Sequence, residues 1–359
     1  MPQRNIDVNT VVFGPEIWAA QTNGGISRYF VELANNLNTL VSGGLAIIPH
    51  HSNMQVSNIQ RRVGLTSLKE DLISIAKSSK SEKRIYHATY YDNKNLQLAK
   101  SLGFKTVITV FDLISEIYPE RSPRFRYVPN LKRKSIHSAE GIICISESTK
   151  NDLLRIYDVD SKKIKVIHLA SSFNLESIEE LGNQRENNIL YVGKRVGYKN
   201  FLVLLTAFGE SQLLRNNFRL VAFGGGDFDN HEKKLISEFG LNEKVIQLSG
   251  DDNVLRDLYT SSRALVYPSL YEGFGLPPLE AMALGCPVIT SNVSSMPEIC
   301  GDAVLYFDPS DVQALRNLLE KTLSNEKTLE RARKMGLARA IEFSWQETAS
   351  QTLDFYNNL

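Results

Sequence analysis

Short β-branched apolar runs alternate with amphipathic stretches along the chain, a rhythm that predicts parallel strands joined by crossover helices. In the first half, Val8–Phe13 reads as a strand. Gly24 and Gly25 follow, and Ile26, Phe30, Leu33, Leu37 and Val41 then recur on one helical face. Further strands are expected at Leu45–Pro49, Ile85–His87, Lys105–Val110, Gly141–Ile145 and Ile164–His168. Ser146 suits the cap of a helix reaching Tyr157. Residues Asn174–Asn188 are polar and charged, and predict an interdomain linker.

The rhythm then restarts. Strands are predicted at Ile189–Val192, Phe218–Phe223, Lys244–Leu248, Ala264–Tyr267 and Pro287–Thr290. Helices are predicted from Asn200, over Asn253–Ser261, and as a pair within Asp311–Phe343. A last helix over Trp345–Leu359 puts Trp345, Ala349, Leu353 and Tyr356 on one face. The expected domains are residues 1–173 and 174–343. The architecture repeats, but the sequence does not.

Length and composition agree with this division. The chain has 359 residues, and 42% of them are apolar, enough for two ordinary cores. Lys and Arg total 41 against 40 Asp and Glu, so no global field draws the chain to nucleic acid or a membrane. Cys144, Cys286 and Cys300 form no C-x-x-C pair and lie in or beside apolar runs, as buried reduced thiols of a cytoplasmic protein would. Met1–Thr10 carries Arg4 and Asp7 and no apolar stretch of signal-peptide type. No run of about 18 apolar residues is present.

The chemistry concentrates in Tyr267-Pro-Ser-Leu-Tyr-Glu272-Gly-Phe-Gly-Leu-Pro-Pro-Leu-Glu280-Ala-Met. Pro268 ends a strand, because proline cannot continue a central ladder. Gly273 and Gly275 flank Phe274 and allow close approach of the backbone to a ligand. Pro277 and Pro278 suit the start of a helix that Gly285 can close. Glu272 is thus expected in the loop and Glu280 in the first helical turn, at the carboxyl end of a strand, where open α/β sheets bind ligands. The helix N-terminus favours a diphosphate, and the two carboxylates suit the hydroxyls of a sugar and a ribose. Taken singly, they also admit the plainer reading of a loop charge and an ordinary helix acid, which the combined pattern disfavours.

This segment resembles the E-x7-E signature of glycosyltransferase family 4, in particular its bacterial polysaccharide mannosyltransferases. The likeness extends from Gly24-Gly25-Ile26-Ser27-Arg28-Tyr29 to Trp345. It implies the GT-B fold: two Rossmann-like, doubly wound α/β domains facing a cleft, with the C-terminal helix 344–359 completing the first. The first domain would take the acceptor and the second the nucleotide sugar. It also implies that Glu272 contacts the donor sugar and Glu280 the ribose, with Gly273, Phe274, Gly275 and Leu276 holding the donor through their backbone. Arg195 and Lys199, four apart after a strand, would hold the diphosphate. Gly25 would lie against a donor phosphate and Val254 near the base. Gly224-Gly225-Gly226 reads as a ligand-side turn or as a purely structural one.

In the first domain, Val110-Phe111-Asp112-Leu113 matches a motif usually read as His-Asp. Phe111 stands where the family has histidine. Asp112 matches, and would orient an acceptor hydroxyl or stabilise developing positive charge. His87 ends a strand and reads either as an acceptor-side group or as a hydrogen-bonded structural residue. Arg121, Arg124, Arg126, Lys132, Arg133 and Lys134 form an acid-free stretch, which suits either a solvated helix face or peripheral contact with an anionic membrane surface.

The reaction implied is retaining transfer of a hexosyl group, mannose-like and from a GDP-sugar, to a glycan or lipid-linked glycan in O-antigen-type polysaccharide assembly. No carboxylate is expected beneath the anomeric carbon, so a front-face route is anticipated, with Asp112, Glu272, Arg195 and Lys199 as the catalytic set. No histidine cluster suggests metal ligands, and no metal or other cofactor is expected. Two alternatives share the fold: a nucleotide-sugar 2-epimerase and a non-catalytic nucleotide-sugar-binding protein. A dinucleotide dehydrogenase would need G-x-G-x-x-G after a strand with an acid about 20 residues on, which the chain lacks.

Overall fold

The computed structural model describes residues 8–20, 24–40, 46–47, 68–78, 83–119, 127–174, 185–195 and 197–359. The chain divides into two compact units: Met1–Leu169 with Ser344–Leu359, and Ala170–Phe343.

The first unit is built on β1 (Val8–Phe13), β2 (Ala46–Ile47), β3 (Lys83–Ala88), β4 (Lys105–Val110), β5 (Gly141–Cys144) and β6 (Ile164–Val166). Their order is β2-β1-β3-β4-β5-β6, and the paired strands run parallel. A parallel sheet covered by helices buries both faces, hence the continuous burial of Thr106–Val110 in β4 and of all of β5. Val12, Tyr86, Ile108, Ile142 and Leu153 belong to one of its cores. Of the strand expected at Leu45–Pro49, only Ala46 and Ile47 fall among the described residues.

The helix Trp345–Asn357 returns to this unit. Trp345 packs 6.1 Å from Tyr29, ring centroid to centroid. Thr348 Oγ1 donates to the His168 carbonyl at 2.8 Å, and Lys83 Nζ donates to the Asn357 carbonyl at 2.6 Å. His87, fully buried, meets Tyr356 Oη through Nδ1 at 2.6 Å and Thr109 Oγ1 through Nε2 at 2.8 Å. It pins this helix to the sheet, and burial pulls its pKa down to about 3. His87 is therefore a satisfied structural histidine, not a group lining an acceptor site.

The second unit comprises β7 (Glu186–Val192), β8 (Arg219–Phe223), β9 (Val245–Leu248), β10 (Ser262–Tyr267), β11 (Val288–Ser291) and β12 (Leu305–Phe307). The order is β12-β11-β10-β7-β8-β9, again parallel. β7 starts earlier than its apolar run, inside the stretch expected as linker, because Glu186 pairs with Ser262 and Asn188 with Arg219. The ladder uses backbone groups, so polar side chains at its exposed end do not stop it. β12 has only three residues, too few for a periodic signal, and forms against β11.

Candidate active site

β7 lies at the centre of the second sheet, with β8 on one side and β10 on the other. The chain order reverses between β7 and β10, and open sheets of this kind bind ligands at the carboxyl ends of such strands. The loops leaving these two strands meet there. Leu270 N donates to the Tyr198 carbonyl at 2.7 Å. Lys199 Nζ donates to Glu272 Oε1 at 2.6 Å and to Tyr267 Oη at 2.9 Å. The two charged side chains are 16% and 9% exposed. Burial alone would lower the Lys199 pKa, but the Glu272 carboxylate, with Tyr267 and Tyr198, outweighs it and holds the ammonium well above the usual lysine value. Lys199 and Glu272, 73 positions apart, thus form one buried charged pair.

The loop carrying Glu272 is braced from the turn that follows β11. Glu272 N donates to Ser294 Oγ at 2.9 Å, and Ser295 Oγ reaches the carbonyls of Glu272 and Phe274 at 3.0 and 2.9 Å. Ser294 has φ 52°, a conformation unfavourable for serine, held here by the surrounding contacts. Phe274 packs edge-on to Phe343 at 6.1 Å. Gly275 has φ 102°, and a Cβ there would stand 2.2 Å from Met296 Cε, so glycine is required on two grounds.

The helix Leu276–Ala283 starts directly after Gly275. Glu280 is consequently its fifth residue, one turn deeper than expected. Its Oε2 accepts from Tyr259 Oη at 3.1 Å. Pro277 and Pro278 lack N–H groups, so the donors at this helix start narrow to the amides of the preceding glycine loop and Leu276. Val254 lies in the first turn of the helix Asp252–Ser261 and is 39% exposed, an apolar group open to a ligand. Asp251 caps that helix, accepting from the amides of Asn253 and Val254.

Arg195 is engaged within the protein. Its side chain is 4% exposed and turned away from solvent. Nε pairs with Glu232 Oε1 at 2.9 Å, Nη1 donates to the Gly224 carbonyl at 2.8 Å, and Nη2 donates to the carbonyls of Gly226 and Asp227 at 2.7 and 2.8 Å. Its guanidinium also lies 4.7 Å over the Phe228 ring. Four of five donors are used within the protein. Gly224, Gly225 and Gly226 all have positive φ, and Arg195 braces that turn.

Two expected residues belong to the first unit. Gly25 is the exposed first residue of the helix Gly25–Leu40, with open space where a Cβ would sit. Asp112 is half-buried beyond β4, and its Oδ1 accepts from Ile114 N at 3.0 Å. Phe111 packs edge-on to Tyr29 at 5.3 Å, an aromatic setting that rewards phenylalanine. In the basic stretch, Arg121, Arg124 and Arg126 lie outside the described residues. Lys132 is buried and paired with Glu116, so it is not part of a solvated basic face. No helix among the described residues is long and apolar enough to cross a membrane.

Sequence reasoning missed Ser294, Ser295, Tyr259 and Glu232. Each acts on a residue far off in sequence, and nothing local marks it.

The chain is similar to known proteins over most of its length. The family model described as Glycosyl transferases group 1 matches residues 174–339, and that of Glycosyltransferase Family 4 matches residues 85–170. The O-antigen chain mannosyltransferase B of Escherichia coli is 33% identical over 293 residues, 77% of this chain and 76% of that one. The serotype-specific mannosyltransferase WbdA of Escherichia coli is 26% identical over 87% of this chain, which spans 40% of that longer protein. Among solved structures, sucrose-phosphate synthase from Thermosynechococcus elongatus superposes with a TM-score of 0.73 at 20% identity, covering 97% of this chain and 98% of the other. The chain therefore belongs to glycosyltransferase family 4 and is a glycosyltransferase of the GT-B fold.

Proposed function

We propose that the chain moves a mannosyl group from GDP-mannose to a hydroxyl of a glycan or lipid-linked glycan, with retention and without a metal, in assembly of a bacterial surface polysaccharide. The observation that carries this reading is the Lys199–Glu272 pair at the switch point, with Glu280 in the helix that follows. A diphosphate beside Lys199 meets a fixed cation that stays protonated, where charge builds on the leaving group. Glu272 supplies a carboxylate oxygen for sugar hydroxyls, and Glu280, oriented by Tyr259, supplies one for the ribose. Arg195 contributes indirectly, by holding the Gly224–Gly226 turn.

Glu272 is tied to Lys199 and is poorly disposed as a nucleophile. The departing diphosphate is then the base that takes the acceptor proton on the face it leaves. The mannose assignment is supported by the relatives named as mannosyltransferases. Lys199 and the amides around Gly275 supply the positive charge in this scheme, which is why no metal is invoked.

The test begins with thermal shifts against GDP, UDP and dTDP, since a ligand that binds only the folded state raises its melting temperature. GDP alone should stabilise strongly. Transfer from GDP-mannose to a panel of alkyl hexosides, with and without EDTA, then reports turnover, and proton NMR of the product reports the anomeric configuration. Loss of turnover in EDTA, or an inverted product, would refute those parts of the proposal.

A further inference from the structure

A second buried charged pair lies in the first unit, at the carboxyl end of β4. Lys132 Nζ donates to Glu116 Oε2 at 2.9 Å, Ser115 Oγ at 3.2 Å and the main-chain oxygen of Asp112 at 3.0 Å. Those bonds use all three protons of the ammonium. Glu116 Oε1 accepts from Tyr157 Oη at 2.5 Å, and its Oε2 also accepts from Ser115 Oγ at 2.7 Å. The Lys132 and Glu116 side chains are 2% and 6% exposed. Lys132 additionally lies 5.2 Å over the Tyr91 ring.

Apolar side chains of similar volume usually fill such a space with equal or greater stability. A pair retained here has a directional effect, and its direction is Asp112. The ammonium fixes the Asp112 carbonyl, and Ile114 N fixes Oδ1 at 3.0 Å. Asp112 Oδ2 makes no hydrogen bond among the described residues. Half-buried Tyr90 lies two residues past the end of the neighbouring β3, its ring 4.9 Å from Tyr91 and its hydroxyl within reach of the Asp112 charge. An aromatic face beside a rigid carboxylate oxygen is the chemistry that receives a sugar: C–H groups on the ring, a hydroxyl on the oxygen.

We infer that Lys132 and Glu116 are positioning residues that hold Asp112 to receive a hydroxyl of the acceptor sugar, with Tyr90 as the flanking platform. This rests on the transferase reading proposed above. The pair never touches substrate. It acts by keeping one carboxylate oxygen aimed, and the neutral replacement loses the aim while the fold is kept.

The experiment compares wild type with the double variant Lys132→Met/Glu116→Gln, which removes both charges and strands neither. GDP binding is measured by calorimetry, GDP-mannose hydrolysis to water by GDP release, and transfer to the alkyl hexoside that wild type uses best. We expect acceptor kcat/KM to fall roughly tenfold to a hundredfold, while GDP affinity and hydrolysis change by no more than about twofold. Tyr157→Phe, which keeps the pair, should give a smaller fall in the same parameter. Unchanged acceptor kcat/KM in the double variant, or a fall matched by GDP binding and hydrolysis, overturns the inference. A wild type that transfers to no hexoside overturns the proposed function, and this inference with it.

Discussion

Separating stability from activity at the Lys199–Glu272 pair is the sharpest test of the donor site. At 2.6 Å, and an effective dielectric near 20, the gross attraction is about 6 kcal/mol. Desolvation of each ion costs several kcal/mol and offsets most of that. The net worth of the pair is therefore small, but removing one partner strands the other, at roughly 3–5 kcal/mol. Exposures of 16% and 9% put the value at the lower end. Glu272→Gln or Lys199→Met alone should cost about 3 kcal/mol, or about 6–12 °C in Tm for a unit of this size. The double variant Lys199→Met/Glu272→Gln should return to within about 4 °C of wild type, since no charge is left unpaired. Its transfer activity should nevertheless stay at least about 100-fold down, because the cation facing the leaving group is gone. The assays are thermal unfolding and GDP-mannose transfer on the same samples. The Lys199 pKa is raised, so the pair's contribution is complete below the ordinary lysine value and is lost only as pH rises through the higher folded value. The Tm gap between wild type and the single variants should accordingly be flat from pH 7 to about 9. A double variant as unstable as the two singles summed would refute the energetic reasoning, and one with normal transfer would refute the catalytic reasoning.

Two further outcomes follow from burial. His87 has its pKa lowered to about 3, so the unfolded chain binds the extra proton first as pH falls below about 6.5; the stability His87 confers is whole above that pH and is lost between about 6.5 and 3. Going from pH 7 to 5 should cost wild type about 2 kcal/mol that a His87→Gln variant does not lose, and equal pH slopes in urea unfolding would contradict this. Burial also pushes the thiols up, Cys286 to about 11 and Cys300 to about 12, with Cys144 higher still. All three should resist a thiol reagent in the native state and react together in denaturant, and rapid labelling of the folded protein would refute that.

The linear order of residues decides a great deal in this protein. β-branched runs separated by amphipathic stretches can bury their apolar area only as parallel strands under crossover helices, so both sheets were legible. Glu272 to Glu280 was legible as well, because proline, glycine and helix-start preferences act over a few neighbours. Even Phe111 announced its departure from the family, though only its packing against Tyr29 and Phe30 gives the reason. What the sequence could not carry was pairing at a distance. Arg195 and Lys199 look equivalent in one loop, yet one meets Glu232 and the carbonyls of the Gly224–Gly226 turn while the other meets Glu272. Lys132 looked like part of a basic face until the helix Val128–Ser138 turned it inward to Glu116. A charge has no local signature of its partner. Only the folded sheets bring the partners together.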